Sequence, residues 1–194
     1  NLIDGDQIMA ACGLDMKAKG QLPGNTVVAT VMSNLGFHVY AKEHGIELEC
    51  TDVGDRNVLE RMVEKGYRLG GEQSGHMIFL EHATTGDGQL TALKILALLK
   101  ESGKKASQVF SACPRYPQVL INIPVADNDV KKAAMASPLL AQAVQREEEA
   151  LAGEGRVLVR PSGTEALMRV MVEAKTQETA QKTAQRLADL IPQL

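Results

Sequence analysis

Two prolines three positions apart, Pro114 and Pro117, divide this 194-residue chain into segments that must fold separately. Each ring holds φ at about −65°, removes a backbone N–H and pushes the preceding residue toward extended backbone. No helix can run through Pro114-Arg115-Tyr116-Pro117, so residues 114–118 are expected to be a hinge linker. Before it, β-rich runs alternate with helical stretches closed by glycine. Thr26-Val27-Val28-Ala29-Thr30-Val31-Met32 reads as a strand, Asn34 to His44 as a helix, Ile46 to Val53 as a strand, and Asp55 to Lys65 as a helix with Val58, Leu59, Met62 and Val63 on one face. Tyr67 to Gly70 and Met77 to Glu81 are predicted strands, and Gln89 to Glu101 is a helix apolar over more than half its circumference, expected to be largely buried. That alternation predicts a layered α/β domain ending near Cys113. Beyond the prolines come strands at Gln118 to Val125, Arg156 to Arg160 and Leu167 to Glu173. A helical region from Val130 to Leu151, broken at Pro138, and a last helix from Glu178 to Ile191 complete a small α+β domain of order β-α-β-β-α.

Composition narrows the function. Twenty-one basic against 24 acidic residues, net −3 with a pI near 5.8, set up no field to gather a polyanion, and six aromatics without Trp offer little for bases to stack on. No nucleic acid partner is expected. The longest uninterrupted apolar run is five residues, against the roughly 20 that a membrane helix needs, so no membrane partner is expected either and the chain reads as cytoplasmic. Cys12, Cys50 and Cys113 form no C-x-x-C pair and are read as buried reduced thiols.

The sharpest local pattern is Arg160-Pro161-Ser162-Gly163-Thr164-Glu165 between two strands. Glycine permits backbone that turns successive N–H groups toward an anion, the hydroxyls of Ser162 and Thr164 add donors, and Arg160 brings a forked charge, helped by Arg169 on the next strand. An ordinary hairpin turn fits the same residue types. Gly70-Gly71-Glu72-Gln73-Ser74-Gly75-His76 also has two readings. Glu72 and Ser74 could grip vicinal sugar hydroxyls with His76 handling a proton, or the stretch is a solvated glycine loop. Thr51-Asp52-Val53-Gly54-Asp55-Arg56 lies at a strand end and helix start, where Asp55 is either an N-cap or part of a ligand-facing turn; Thr84-Thr85-Gly86-Asp87-Gly88 is similar. Asp4-Gly5-Asp6 has too few hard oxygens for a divalent metal and reads as a helix cap, and His38, His44 and His82 have no partners at metal-ligand spacing, so no metal site is expected in this chain.

Taken in order, Val53-Gly54-Asp55-Arg56, Gly71-Glu72-Gln73-Ser74-Gly75-His76, Thr85-Gly86-Asp87-Gly88 and Arg160-Pro161-Ser162-Gly163-Thr164-Glu165, followed by Arg169-Val170-Met171-Val172-Glu173, resemble the α-D-phosphohexomutase superfamily across nearly the whole chain, and within it the amino-sugar branch. The resemblance implies a four-domain enzyme that interconverts glucosamine 6-phosphate and glucosamine 1-phosphate through a 1,6-bisphosphate for UDP-N-acetylglucosamine and cell-wall precursors. Residues 1–20 would then end the metal-loop domain, 21–113 form the sugar-binding domain with a mixed sheet, and 119–194 form the phosphate-binding domain. Glu72 and Ser74 would grip hydroxyls, His76 would be a proton shuttle, and Gly54, Asp55 and Arg56 a second sugar-facing turn. Arg160, Ser162, Gly163, Thr164 and Arg169 would hold the phosphate that is not transferred. Mg²⁺ and a hexose 1,6-bisphosphate activator are implied cofactors, but the family's phosphoserine loop and its D-G-D-G-D-R metal loop do not occur in this chain. Its partners would be a sugar phosphate and the N-terminal domains, with a homodimer left open. Ala166 and Asn57 depart from the family's Pro and aromatic, and Gln73 replaces the Met common in glucose and mannose relatives. A phosphoglucomutase or phosphomannomutase, and a non-catalytic sugar-phosphate binding module, are the rival readings.

Overall fold

Thr26–Thr30 forms strand β1, whose five residues are all buried, as befits the middle of a sheet covered on both faces. The computed structural model describes residues 2–193 and divides into two units between Arg115 and Tyr116. In the first, β1 pairs in parallel with β2 (Glu47–Thr51) and β3 (Leu69–Gly71), and β3 pairs antiparallel with β4 (Met77–Phe79), giving a mixed sheet of order β2-β1-β3-β4. Helices α1 (Gly5–Ala18), α2 (Leu35–Glu43) and α4 (Gly88–Ser102) supply one layer, where Met9, Phe37, Tyr40 and Leu98 pack with Val27, Ala29 and Leu69. Helix α3 (Asp55–Lys65) covers the other face, with Val58 and Met62 against Val28 and Ile78. Burying each such side chain is worth roughly 1.5–3 kcal/mol, so β1, apolar on both faces, anchors both layers.

Several expectations change. Residues 1–20 do not stand apart from the first unit, because Met9 and Cys12 of α1 lie in its core. Asn1 and Leu194, the outer limits of two expected domains, fall outside the described residues. Helix α4 is not largely buried: only Thr91 and Leu98 are, while Leu93 and Leu96 are 66% and 62% exposed. Val63 points outward from α3, and Cys50 is exposed where a buried thiol was expected. Cys12 and Cys113 are buried, and burial pushes both thiols up to about 12. A short helix, α5 (Ala106–Phe110), lacks any strong sequence signal and buries Phe110. Among the described residues no helix is long and apolar enough to cross a membrane.

The linker is shorter than 114–118. Pro114 is packed into the first unit so tightly that a Cβ on Gly36 would lie 1.9 Å from its carbonyl oxygen. Pro117 belongs to the second unit, where its carbonyl accepts from Ala174 N at 3.1 Å, and strand β5 (Gln118–Pro124) follows at once. That unit continues with α6 (Asn128–Ala136), α7 (Pro138–Leu151), β6 (Gly155–Pro161), β7 (Leu167–Ala174) and α8 (Gln177–Leu190). Pro138 breaks the helical region by starting α7, where its missing N–H costs nothing. The antiparallel sheet has order β5-β7-β6, and Val170 and Val172 of its central strand pack under Ala180, Ala184 and Leu187 of α8.

Candidate functional site

Residues 72–76 connect β3 to β4 in a tight turn, with Glu72 N donating to His76 O and Gly75 N to Glu72 O, both at 2.9 Å. Three other segments converge on this loop. The first is the start of α1. Asp4 caps it reciprocally with Gln7, as its residue type predicts, and Gly5 N donates to Gln73 O at 2.9 Å. A Cβ on Gly5 would sit 2.0 Å from Glu72 O, so only glycine lets the helix approach the loop backbone so closely. The second is the β2–α3 connection, where Gly54 N donates to Glu72 Oε1 at 3.2 Å. The N-cap of α3 is Gly54 and not Asp55, which occupies the first helical turn, with Oδ1 accepting from Arg56 N and Oδ2 standing 3.5 Å from His76 Nε2. The third is the turn before α4: a Cβ on Gly86 would overlap the His76 ring at 2.3 Å, while Asp87 caps α4.

The structure thus gathers Glu72, Gly54, Asp55 and His76 around one loop, and leaves Arg56 outside, exposed and paired to Glu60 at 2.7 Å. Ser74 is exposed beside a cavity of about 540 Å³ lined by Thr30, Met32, Val53, Glu72, Gln73 and Arg115, among others. His76 Nε2 is buried and makes no hydrogen bond; its separation from Asp55 is too long for a good one. Beneath the loop lies a residue the sequence marked only as part of a cap. Asp6 is 2% exposed, and its Oδ2 accepts from Asn34 N at 2.7 Å and Gln73 Nε2 at 3.2 Å. Burial raises its pKa to about 6.

In the second unit the β6–β7 hairpin sets Arg160 opposite Arg169. Like charges facing each other across strands repel, and here only Arg169 has a carboxylate partner, Glu165 at 2.6 Å. Burial, then the neighbouring Arg169, lowers the pKa of Arg160 from its ordinary value. Arg169 Nε is buried without a hydrogen bond. The connecting loop departs from expectation in two details. Gly163 is not at positive φ, and a Cβ there would meet nothing within 4 Å, so neither the turn nor packing within this chain requires glycine. Ser162 is buried, and its Oγ accepts from Glu165 N at 3.3 Å, an internal brace of the turn, while Thr164 is exposed.

Family models decide what these loops belong to. Residues 4–116 match the phosphoglucomutase/phosphomannomutase alpha/beta/alpha domain III, and residues 120–190 match the C-terminal domain of the same family. The chain belongs to the phosphoglucomutase/phosphomannomutase family. Among its relatives, the phosphoglucosamine mutase of Thermoanaerobacter sp. (strain X514) is 54% identical over 98% of this chain, and that of Caldanaerobacter subterraneus subsp. tengcongensis 52% identical over the same share. The chain spans only 42% of the length of either. Among solved structures, Aspergillus fumigatus N-acetylphosphoglucosamine mutase in complex with GlcNAc-6P and magnesium has a TM-score of 0.83 at 21% identity, over 98% of this chain and 44% of that one, a likeness of fold. The metal that the family implies does not fit here: among the described residues no group of three or more His, Cys, Asp or Glu side chains could hold an ion.

Proposed function

We propose that this chain supplies the sugar-gripping and phosphate-gripping elements of a mutase that interconverts glucosamine 6-phosphate and glucosamine 1-phosphate. The relatives that cover nearly all of it carry the name phosphoglucosamine mutase. The observation that carries the reading is chemical. His76 Nε2, at the end of the 72–76 loop, and Arg169 Nε, on β7 opposite Arg160, are buried polar atoms without hydrogen bonds. Such groups are costly to bury unless a ligand satisfies them. In this reading Glu72 and Ser74 hold sugar hydroxyls, with Gly54 and Asp55 beside them, and His76 relays a proton toward Asp55. Arg160, Arg169, Gly163, Thr164 and the Ser162 turn hold the phosphate that is not transferred, its charge relieving the repulsion between the two arginines. Arg56 would have to leave Glu60 to take part.

Preference for the amino sugar follows from Asp6. A carboxylate accepts only, so it orients Gln73 with Nε2 toward itself and turns Oε1 the other way, where an acceptor suits a protonated 2-amino group. Mg²⁺ and the serine that carries the phosphoryl group would be supplied outside this chain, as would the rest of the enzyme that the relatives' length implies. Arg115 and Tyr116, the short stretch left between the two units, serve as the hinge. Calorimetric titration of the chain with glucosamine 6-phosphate, glucose 6-phosphate and mannose 6-phosphate tests the proposal. Binding of all three with the amino sugar tightest is expected, and absence of heat with any of them would refute it.

A further inference from the structure

We infer that Lys131 is the positioning residue of the phosphate loop, holding it from behind so that its amides face an anion. The inference rests on the phosphate reading of residues 160–165. Periodicity would turn Val130 toward the core, yet Val130 is 41% exposed and Lys131 is 7% exposed; with Ala134 it is one of the two buried residues of α6. A buried ammonium must be compensated. Lys131 Nζ donates to Ser162 O at 2.9 Å and to Glu165 O at 2.5 Å, the carbonyls that bracket Gly163 and Thr164.

Peptide geometry turns that clamp into a direction. All peptide bonds described are trans, so C=O and N–H of one unit point opposite ways. With the Ser162 carbonyl drawn toward Lys131, the Gly163 N–H points away from it. The Glu165 carbonyl does the same for the Ala166 N–H, and Val125 N holds the Ala166 carbonyl at 3.0 Å on the β5 side. Gly163 is itself exposed, so its backbone is open to a ligand. The ammonium also places a positive charge at the carbonyl end of these peptides, in surroundings of low dielectric, which polarises the amides as donors. Asp127 sets the position of Lys131, since its side chain caps α6 through Asp129 N and Val130 N.

The test titrates the ¹⁵N-labelled chain with inorganic phosphate and follows the amides of Gly163 and Ala166. Lys131→Met is expected to weaken binding about tenfold, the loss of one charge-assisted interaction. Lys131→Arg is expected to recover most of it. Ala134→Gly, on the same buried face, lowers the melting temperature but should leave affinity within about twofold, because it does not touch the loop. Parent-like affinity in Lys131→Met, or an equal loss in Ala134→Gly at matched melting temperature, would overturn the inference. Should Lys131→Met not fold, Lys131→Gln keeps a donor without the charge; weakened binding then supports the inference and unchanged binding overturns it. Arg160→Ala separates the two readings. If it abolishes binding while Lys131→Met keeps the parent's affinity, only the role of Lys131 falls; if phosphate leaves the loop amides of the parent unmoved, the phosphate reading falls and takes this inference with it.

Discussion

Replacing Asp6 by Asn should flatten the pH dependence of the first unit's stability. The side chain is buried, and burial raises its pKa from 3.8 to about 6, with Asp4 pushing the same way and hydrogen bonds from Asn34, Ser33 and Gln73 opposing. Cys113, which also lies near Asp6, has its thiol pushed up to about 12 by burial and stays neutral throughout. Between the two Asp6 values the folded state holds the proton and the unfolded chain does not, so stability falls as pH rises through that window. At ~1.4 kcal/mol per tenfold, the rise from 3.8 to about 6 amounts to about 3 kcal/mol, nearly all of it felt at pH 7 and roughly half at pH 5. Asn keeps an acceptor oxygen for Asn34 N and carries no charge at either pH. The variant should therefore gain about 1 kcal/mol on the parent in going from pH 5 to pH 7. Urea unfolding at both pH values, followed through amide signals of α1 and α2, isolates this, because every carboxylate that does not couple to Asp6 cancels in the double difference. Parallel profiles for the two proteins would show that Asp6 ionises without penalty and refute the argument.

Arg160→Ala should weaken glucosamine 6-phosphate binding more than Glu72→Ala does, since a charge-assisted contact to phosphate is worth about 1.5–3 kcal/mol against about 0.5–1.5 for an ordinary hydrogen bond; calorimetry showing the reverse order would make the 160–165 loop a structural turn. Gly86→Ala places a methyl inside the His76 ring and should cost about 1–3 kcal/mol while shifting the His76 ring resonances; an unmoved ring would contradict the packing. The chain alone, supplied with Mg²⁺ and glucose 1,6-bisphosphate, should show no mutase turnover in a coupled assay, because neither a phosphoserine loop nor a metal cluster is present among its described residues.

What the sequence disclosed about the fold was what periodicity and punctuation encode locally. The helix Asp55–Lys65 follows from apolar spacing and a glycine stop, the start of β6 from the glycines at 153 and 155, and the end of β7 from the change to polar residues after Ala174. Helix α4 misled for a physical reason: Leu93 and Leu96 are as apolar as Leu98, so spacing alone cannot tell which face of a mostly apolar helix meets the sheet. Helix α5 was missed because five residues carry less than two turns of periodicity.

The site followed the same division. Glu72, His76 and the glycines beside them were legible because unusual residue types cluster in short loops, where backbone geometry and chemistry coincide. Asp6 and Lys131 were not, since each is an ordinary charged residue near a helix start, and capping or solvation explains such residues well enough. Their burial comes from contacts with residues 67 and 31 positions away, Gln73 and Ser162. Yet both leave a faint local trace. Asp6 follows a capping Asp4 that has already met the helix's need for an acceptor, so a second buried carboxylate two residues on requires another donor. Lys131 shares its buried face with Ala134, and a lysine three residues from a core alanine has to carry its charge to acceptors that the fold brings to it. In both cases at least one partner belongs to a motif loop, Gln73 for Asp6 and Ser162 with Glu165 for Lys131, which makes an unexplained charge on an inward helix face a pointer to the loops that a site is built from.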